Sequence, residues 1–500
     1  MIKRLGLAAL CAASLCGQVL AQDARSVITS AQAALGNVTS ITYSGSARDV
    51  AFQQCGANAT ALICYGVHDP MRPITNYVRV IDTAAPTSRH TGTTMNFGPG
   101  GSTTITPGTF FQQVTPQQAT DGTSPWGQSL EYYITPWGFL KGAADNNATV
   151  SRGKIGAVNY TVLTWVPRVK APSGASYQIK GYISGANLVD RVETWFGENL
   201  MGDMHIVADY KDYRKFGNAT VPTKIVQTRG GWPFFEVEVT NATGNPQNLA
   251  ALAPAPPPPA GGPPGGGPPG GQPPAMTLTK EVLSPWLTRY TTGAGSYDSI
   301  VAEFDDYVMV LEAGGNQARA QLYIDEIKRS IPGKPIRYVW NSHPHGDHTP
   351  GIPAVVAEGA TVIAQANAVE FFTRALNTPR TLLDDTLAKN PHRVRVDSIE
   401  DKRVYTDGTH TVEFYHIYPA PHSNALTIAY FPEERIIFQG DFSVNPAQGG
   451  GMQPANDHVR ALVPALEKLG LTGYSRYINV HASAAPQTKA DVEAAMNAAR

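Results

Sequence analysis

The second half of the chain alternates short apolar runs of strand length with longer segments of helical character. In one such segment, residues 316–330, we expect Leu322, Ile324 and Ile327 to point into the core. Alternation of strand and helix patterns predicts an α/β domain. The predicted strands are 299–304, 307–311, 335–340, 361–364, 410–417, 426–431, 435–438 and 477–480, and the predicted helices are 316–330, one begun by Pro350, 368–376, 456–469 and one from residue 487.

The first half has a different pattern, in which short runs of β-branched and aromatic residues are bounded by Gly, Pro and Asn. Helical character is confined to residues 23–35, so we predict an antiparallel, curved β-rich domain. Residues 185–194 and 210–221 resemble the strand repeats of bacterial lipoprotein-carrier half-barrels. The clearest predicted strands are 75–81, 159–166, 177–183 and 234–240.

A stretch of almost pure Pro, Gly and Ala separates the two halves. It has nothing apolar to bury, so it is predicted to be a linker, extended where Pro dominates. A chain of 500 residues is also too long for one ordinary domain. The predicted divisions are a signal peptide at 1–21, a β-rich domain at 22–253, the linker at 254–275 and a second domain at 276–500.

The start of the chain has the pattern of an export signal. Lys3 and Arg4 precede an apolar run over residues 5–20, and small residues allow cleavage after Ala21. The alternative is a membrane anchor, but the run is shorter than the roughly 20 residues that a spanning helix needs. We therefore expect a periplasmic or secreted protein with no transmembrane segment after cleavage.

Cysteine content constrains the chemistry further. Removal of the signal leaves Cys55 and Cys64, which in an oxidising compartment can form a disulfide worth up to about 3 kcal/mol; two free buried thiols are the alternative. No cysteine follows Cys64. Every metal ligand in the second half must therefore be His, Asp or Glu.

Composition excludes some partners. Hydrophobic residues make up 42% and charged residues 16% of the chain, and the formal net charge is −1. That balance lacks the basic face typical of nucleic-acid binding and the basic clusters that attract anionic membranes. A small-molecule substrate is expected, and the sequence leaves the oligomeric state open.

Four metal-capable side chains follow the predicted strand 335–340 within six residues. They form two potential ligand groups, His343 with His345 and Asp347 with His348. Open α/β sheets place ligand sites at the C-terminal ends of their strands. Imidazole and carboxylate together suit zinc and neighbouring first-row metals better than calcium or magnesium.

Three more candidates follow predicted strands in the same way. His422 comes after strand 410–417, Asp441 after strand 435–438 and His481 after strand 477–480. With the first cluster they make five histidines and two aspartates, which is enough for a two-metal site.

This order of residues resembles the metallo-β-lactamase superfamily, whose signature is His-x-His-x-Asp-His followed by a His, a bridging Asp and a last His. The resemblance implies a four-layer αββα sandwich of two mixed sheets, and two Zn²⁺ ions that activate a bridging hydroxide. It also implies a catalytic role for Asp347, which would orient the hydroxide and pass a proton to the leaving group. The implied ligands are His343, His345 and His422 for the first ion, Asp347, His348 and His481 for the second, and Asp441 as the bridge.

The same comparison narrows the function. His345 stands where flavodiiron oxidoreductases have Glu, and the lack of a later Cys excludes lactamases with a Cys ligand. We therefore expect an exported dinuclear zinc hydrolase acting on a small ester, thioester, lactone or lactam. The alternatives are a mononuclear iron thiol dioxygenase and a ligand carrier with a vestigial metal domain.

The remaining sequence features have secondary roles in this hypothesis. Loops 376–395 and 445–455 are predicted to determine specificity, and the glycines at 449–451 suggest a mobile flap. His410 and His416 share a strand face with apolar residues and are expected at the edge of the core or behind the ligands. No functional role is predicted for His68, His90, His205, His392 and His458.

Overall fold

The structure, a computed structural model, describes residues 24–50, 71–97, 103–108, 126–252, 276–293, 296–481 and 486–498. It contains a large antiparallel β domain followed by an α/β domain built on two mixed sheets, which confirms the predicted fold class. The predicted signal peptide, the Cys55–Cys64 pair and the predicted linker lie outside the described residues.

The N-terminal domain is formed around one antiparallel sheet. Its order is β4-β3-β2-β1-β11-β10-β9-β8-β7-β6-β5, so the first strand pairs with the last, with Ile41 opposite Gly244. Its strands are β1 Ser40–Asp49, β2 Arg72–Asp82, β3 Thr87–Phe97, β4 Thr103–Gly108, β5 Thr149–Ile155, β6 Val158–Trp165, β7 Ile179–Ile183, β8 Val189–Glu198, β9 Gly202–Phe216, β10 Ala219–Arg229 and β11 Trp232–Gly244. The predicted strands of this half lie largely within β2, β6, β7 and β11, and the resemblance to carrier half-barrels stays a prediction.

The expectation of a single N-terminal helix was wrong. Helix α1 spans residues 24–34, as predicted, but α2 (Trp126–Tyr133) and α3 (Pro136–Asp145) follow later, and the short α4 (Leu249–Leu252) ends the domain. The missed pair is buried on nearly every side, so it has no polar face to produce a helical period. Trp126, Tyr132 and Phe139 fill the core beneath the sheet.

The first sheet of the C-terminal domain has the order β12-β13-β14-β15-β16-β17-β18. Its first four strands are antiparallel, and β15 to β18 are parallel. Parallel strands buried on both faces consist almost entirely of apolar residues, as in Val308–Leu311. The strands are β12 Thr279–Ser284, β13 Leu287–Thr291, β14 Ser299–Glu303, β15 Val308–Leu311, β16 Ile336–Trp340, β17 Thr361–Gln365 and β18 Val396–Ile399.

The second sheet has the order β19-β20-β21-β22-β23-β24, with β22 and β23 parallel and the others antiparallel. Trp340 and Ile363 of the first sheet pack against Phe414 and Phe438 of the second in the central core. The strands are β19 Lys402–Thr406, β20 Thr411–His416, β21 Thr427–Phe431, β22 Ile436–Gln439, β23 Arg476–Asn479 and β24 Gln487–Thr488.

Helices cover the outer face of each sheet and complete the four layers. Their bounds are α5 Gln317–Ser330, α6 Ile352–Val356, α7 Ala366–Leu376, α8 Thr386–Lys389, α9 Asp457–Lys468 and α10 Lys489–Asn497. Helices α5, α6 and α7 pack on the first sheet, and α9 and α10 on the second. Within the described residues, none of the helices combines the length and apolar character needed to cross a membrane.

Sequence patterns missed the strands that are short or exposed. Strands β12 and β19 have mostly exposed side chains, so neither shows an apolar run. The helix expected from Pro350 begins instead at Ile352 and ends after five residues. By contrast, Asn316 and Asn456 cap α5 and α9 with their side chains, and these two helices match their predicted spans to within one residue at each end.

The two domains contact each other through residues 378–383 of the C-terminal domain. The carboxylate of Asp203, the second residue of β9, accepts hydrogen bonds from the N–H and the hydroxyl of Thr381 (2.9 and 2.6 Å) and from the N–H of Leu382 (2.9 Å). The backbone N–H of Asp203 donates to the carbonyl of Pro379 at 2.6 Å. The side chain of Asp203 thus satisfies two backbone N–H groups of this loop.

Arg380 makes a second set of contacts across the same boundary. Its guanidinium donates to the carbonyls of Asn199 and Leu200 and pairs with the carboxylate of Asp385. Leu382, only 6% exposed, joins the apolar cluster that includes the N-terminal core. Part of loop 376–395, which is predicted to determine specificity, therefore contacts the N-terminal domain.

Replacing Asp203 with alanine is expected to weaken this contact. Three hydrogen bonds to a carboxylate are lost at a partly buried position, so the free energy of unfolding should fall by about 1–3 kcal/mol. Urea unfolding of the full chain measures the change. The control is Asp145→Ala, which removes an exposed i,i+4 pair with Lys141 and should cost less than about 0.5 kcal/mol. Equal effects of the two substitutions would contradict the expectation.

Candidate metal centre

The predicted ligands meet because their strands run in one direction. Strands β15 and β16 are parallel, and β20, β22 and β23 also share one direction, since β21 is antiparallel to both β20 and β22. The loops that leave these strands therefore gather at one edge of the sandwich. All seven predicted ligands lie there, in two groups of facing ligand atoms, each group within 4.8 Å.

The first group contains His343, His345, His422 and Asp441. His343 and His345 are each 1% exposed, and their rings lie with centroids 4.3 Å apart. The Nε2 atom of His422 lies 3.1 Å from Nε2 of His343 and 2.7 Å from Oδ2 of Asp441. Three imidazoles and a carboxylate thus converge on one point.

The second group contains Asp347, His348 and His481. Oδ2 of Asp347 lies 3.5 Å from Nε2 of His348 and 3.6 Å from Nε2 of His481. His348 is fully buried, whereas the side chains of His481 and Asp347 are 38% and 28% exposed. Solvent therefore reaches the centre from the side of the second group.

Asp441 connects the two groups through its two oxygens. Oδ2 faces His422 of the first group, while Oδ1 lies 3.0 Å from Nε2 of His348 and 2.8 Å from Nε2 of His481. A carboxylate whose two oxygens face two different groups of ligands has the geometry of a bridging ligand.

The donor set fits metal ions better than a hydrogen-bonded cluster. Two imidazole nitrogens that each lie about 2.0–2.1 Å from one tetrahedral ion are about 3.3 Å apart. The observed Nε2 separation of His343 and His422 is 3.1 Å. Burying several imidazoles together with few carboxylates would cost folding free energy if no cation were bound to them.

Electrostatics favour the metal-binding forms of most of these groups. Burial and the neighbouring imidazoles hold the pKa values of His343 and His345 well below the ordinary histidine value, so both are neutral. Burial alone would raise the pKa of Asp441, but His348, His422 and His343 hold it well below its usual range. Burial alone would lower the pKa of His348, but the nearby carboxylates, Asp441 first among them, raise it well above the usual value.

Glu312 supports the centre and was missed by sequence reasoning. It directly follows β15, is fully buried, and one carboxylate oxygen accepts the N–H of Ser342 at 2.5 Å. The other oxygen lies 3.2 Å from Nδ1 of His348. Carboxylates in this position fix the tautomer and orientation of a ligand histidine. The available signal was its place at the end of a buried strand, the same signal that identified Asp441.

The absence of a predicted role for His458 also needs correction. It is the second residue of α9, is 3% exposed, and its ring lies 4.8 Å from that of His422. Its Nδ1 lies 3.2 Å from the carbonyl of Asp441. His458 thus packs behind two candidate ligands, a placement that depends on how α9 crosses the second sheet.

Close approach of two loops completes the first group. A side chain at Gly440 would meet Oγ of Ser342 at 2.8 Å and Nδ1 of His343 at 3.2 Å. Ser342 itself lies 3.0 Å from Nδ1 of His343, which orients that ring. Only glycine lets the Asp441 loop come this near to the histidine cluster.

His410 and His416 are the two histidines expected at the edge of the core or behind the ligands. Nε2 of His416 lies 2.8 Å from the carbonyl of Asn424, two residues after His422, and His410 stacks on Trp286 at the edge of the core. The glycines at 449–451 form a tight turn closed by a hydrogen bond from Ala447 N–H to the carbonyl of Gly451 at 3.0 Å. Motion of this turn as a flap stays a prediction.

Comparison with known proteins shows a family similarity in the C-terminal region. Residues 292–471 match the model of the metallo-beta-lactamase superfamily. The chain is 29% identical over 154 residues to the alpha subunit of 2,4-dinitroanisole O-demethylase from Nocardioides sp. (strain JS1661), a match covering 30% of this chain and 43% of the relative. The chain thus spans less than half the length of that relative.

Solved structures with a similar region include metallo-beta-lactamases. The enzyme from Pontibacter korlensis is 15% identical, with 43% of this chain and 96% of that chain covered and a TM-score of 0.32. FIM-1 from Pseudomonas aeruginosa, in its mono-zinc form, is also 15% identical, with 44% and 92% covered and a TM-score of 0.31.

The family match and the geometry of the site concern the same region. The matched residues include β14 to β22 and six of the seven candidate ligands, and His481 lies ten residues beyond the match. Residues 292–471 of this chain are thus similar to the metallo-beta-lactamase superfamily, and this similarity coincides with a His/Asp cluster able to hold metal ions.

Proposed function

We propose that this protein is an exported hydrolase that uses two zinc ions to cleave a small ester, thioester, lactone or lactam. The observation that carries the proposal is Asp441, whose two oxygens face different groups of candidate ligands. Export is proposed from the charged start and apolar run of residues 1–21, which have the pattern of a cleaved signal.

The first ion would be held by the first group and the second by the second group, with Asp441 shared. Bound zinc supplies hydroxide at neutral pH and polarises the electrophilic group of the substrate. Among the described residues the two ligand groups consist of His and Asp alone, and the nucleophile in this proposal is water. The ligands are His343, His345, His422, Asp441, Asp347, His348 and His481.

The side chains of the second group determine where protons move. The carboxylate of Asp347 lies on the open side of the centre, 28% exposed. It would orient the hydroxide and then pass a proton to the leaving group. The buried His343 and His345 remain neutral and do not compete for that proton.

Two alternatives have less support. A mononuclear iron thiol dioxygenase would need only the first group, and it would leave unexplained why Asp347, His348 and His481 converge. A carrier with a vestigial metal domain would not need to maintain seven converging donors beside a buried carboxylate, Glu312.

A second candidate reaction comes from the curated relative. That protein is named as an O-demethylase of 2,4-dinitroanisole, an activated aryl methyl ether. Attack by water on the ring carbon that bears the methoxy group would break its bond to oxygen and release methanol, as attack on an ester carbonyl releases an alcohol. Aryl methyl ethers therefore belong in the substrate panel.

Metal removal tests the proposal. Purified protein is expected to contain two zinc ions per chain and to hydrolyse at least one member of a panel of activated esters, thioesters, lactones, β-lactams and nitroaryl methyl ethers. Chelation should lower the rate by at least about a hundredfold, and added zinc should restore it. Metal analysis and rate measurement on the same samples check both parts. One iron per chain with oxygen uptake would overturn the hydrolase proposal.

A further inference from the structure

Tyr297 is an aromatic residue beside the second group that the proposed function has not used. It lies between β13 and β14, two residues before β14 begins. Its hydroxyl lies 3.2 Å from Oδ2 of Asp347, the oxygen that faces His348 and His481. Because an ionised carboxylate has no proton to give, the phenol is the donor of this hydrogen bond.

The ring of Tyr297 contacts the other two members of the same group. Its centroid lies 5.9 Å from that of His348, nearly perpendicular, and 5.1 Å from that of His481. One side chain therefore contacts all three members of the second group, through a hydrogen bond to the carboxylate and aromatic packing against both imidazoles.

The backbone of Tyr297 is held on two sides. Its carbonyl accepts from the guanidinium of Arg319, which is buried, and the residue forms an isolated β-bridge with His481. The next residue, Asp298, donates its N–H to the carbonyl of Val480 at 2.6 Å. These backbone contacts fix the position of the phenol.

The loop after β15 leaves room for the ring. A side chain at Gly314 would meet the Tyr297 ring at 2.6 Å and the Asp347 carbonyl at 2.9 Å, and one at Gly315 would meet the ring at 3.1 Å. The N–H of Gly315 donates to the same Asp347 carbonyl at 2.8 Å. Two glycines thus accommodate the ring and let the loop bind the backbone of Asp347.

We propose that Tyr297 is a positioning residue that sets the affinity of the second metal site without binding the metal. It restrains the carboxylate of Asp347 and packs the rings of His348 and His481 in converging orientations. Groups that orient metal ligands in this way change metal affinity by about 10–100-fold when they are removed. This inference rests on the proposed two-metal function, and it concerns the second site alone.

Stepwise zinc titration of the metal-free full chain tests it. In the wild type, competition with a chelator of known affinity should resolve two binding steps. Tyr297→Phe retains the ring and removes the hydroxyl, so the second step should weaken about 10–100-fold while the first remains within about twofold. Zinc content after dialysis against buffered zinc should fall from two ions toward one.

Matched variants separate positioning from general damage. Tyr405 donates to the carboxylate of Asp397 at 2.9 Å in the same domain, away from the centre, so Tyr405→Phe should leave both steps unchanged. Asp347→Asn should weaken the second step by itself, and adding Tyr297→Phe to it should cause little further loss. Thermal unfolding of the metal-free variants checks that each one is folded.

The possible results distinguish the two proposals. Two wild-type steps with an unchanged second step in Tyr297→Phe would overturn the role of Tyr297 and leave the two-metal function intact. An equal loss at both steps would also overturn it, since that would show a general effect on the site. A single wild-type step would overturn the two-metal function, and the inference with it.

Discussion

Replacing Asp441 with alanine is expected to abolish hydrolysis and to prevent the protein from retaining two metal ions together. The loss in rate should be at least about 10³-fold, equivalent to roughly 4 kcal/mol of transition-state stabilisation. The reason is positional, because each oxygen of Asp441 serves a different group of ligands.

Asparagine at position 441 refines this test. It keeps the shape of the side chain but replaces one oxygen with an amide nitrogen, which cannot act as an anionic ligand. We expect Asp441→Asn to retain one ion more strongly than the second and to lose nearly as much activity as Asp441→Ala. Metal content and initial rates on the best substrate of the panel measure both.

A control aspartate distinguishes loss of the bridge from loss of charge. Asp384 lies in the same domain, is 59% exposed at its side chain, and pairs with Lys389. Asp384→Ala should change neither metal content nor rate. Hydrolysis that is unaffected by Asp441→Ala would count against catalysis at this centre.

Replacing Glu312 with alanine should give the second large effect, on both stability and metal affinity. The carboxylate is fully buried, and its loss leaves the Ser342 N–H and the Nδ1 side of His348 without their acceptor. A buried donor left without a partner costs about 1–3 kcal/mol, and more when a charged group is involved. We expect the free energy of unfolding to fall by about 2–4 kcal/mol and zinc affinity to fall about 10–100-fold.

The backbone at Glu312 supplies a matched comparison. Its φ angle is 67°, in the left-handed region that glycine adopts without strain. Glu312→Gly therefore removes the carboxylate and relieves the backbone, whereas Glu312→Ala removes the carboxylate alone. We expect the glycine variant to be more stable than the alanine variant by about 1 kcal/mol, with the same loss of zinc affinity. Chemical unfolding and zinc titration of both variants check this. Zinc affinity that recovers in the glycine variant would show that strain, rather than the carboxylate, organises His348.

Much of the C-terminal fold could be predicted because its strands are buried on both faces. Such strands appear in the sequence as continuous apolar runs, as in β15 and β22. Strand β12 and helix α3 could not be predicted in the same way. The first is exposed along most of its length and the second is buried on nearly every side, so neither has the contrast between apolar and polar positions from which a period is recognised.

The sequence by itself determined which residues meet at the centre. His343 follows a strand of the first sheet, and Asp441 and His481 follow parallel strands of the second, so all three lie at one edge of the sandwich. Their spacing and order carried the resemblance to a family, and the match over residues 292–471 agrees with it.

Only the tertiary structure decided which residues support the ligands and how the two domains contact each other. Glu312 and His348 are 36 positions apart, Tyr297 and Asp347 are 50 apart, and Asp203 and Thr381 are 178 apart. Each of these contacts depends on the order of strands in a sheet and on which loops approach closely enough to exchange a hydrogen bond. Local periodicity carries no information about either, because it records the face that a residue presents and not the partner that it meets.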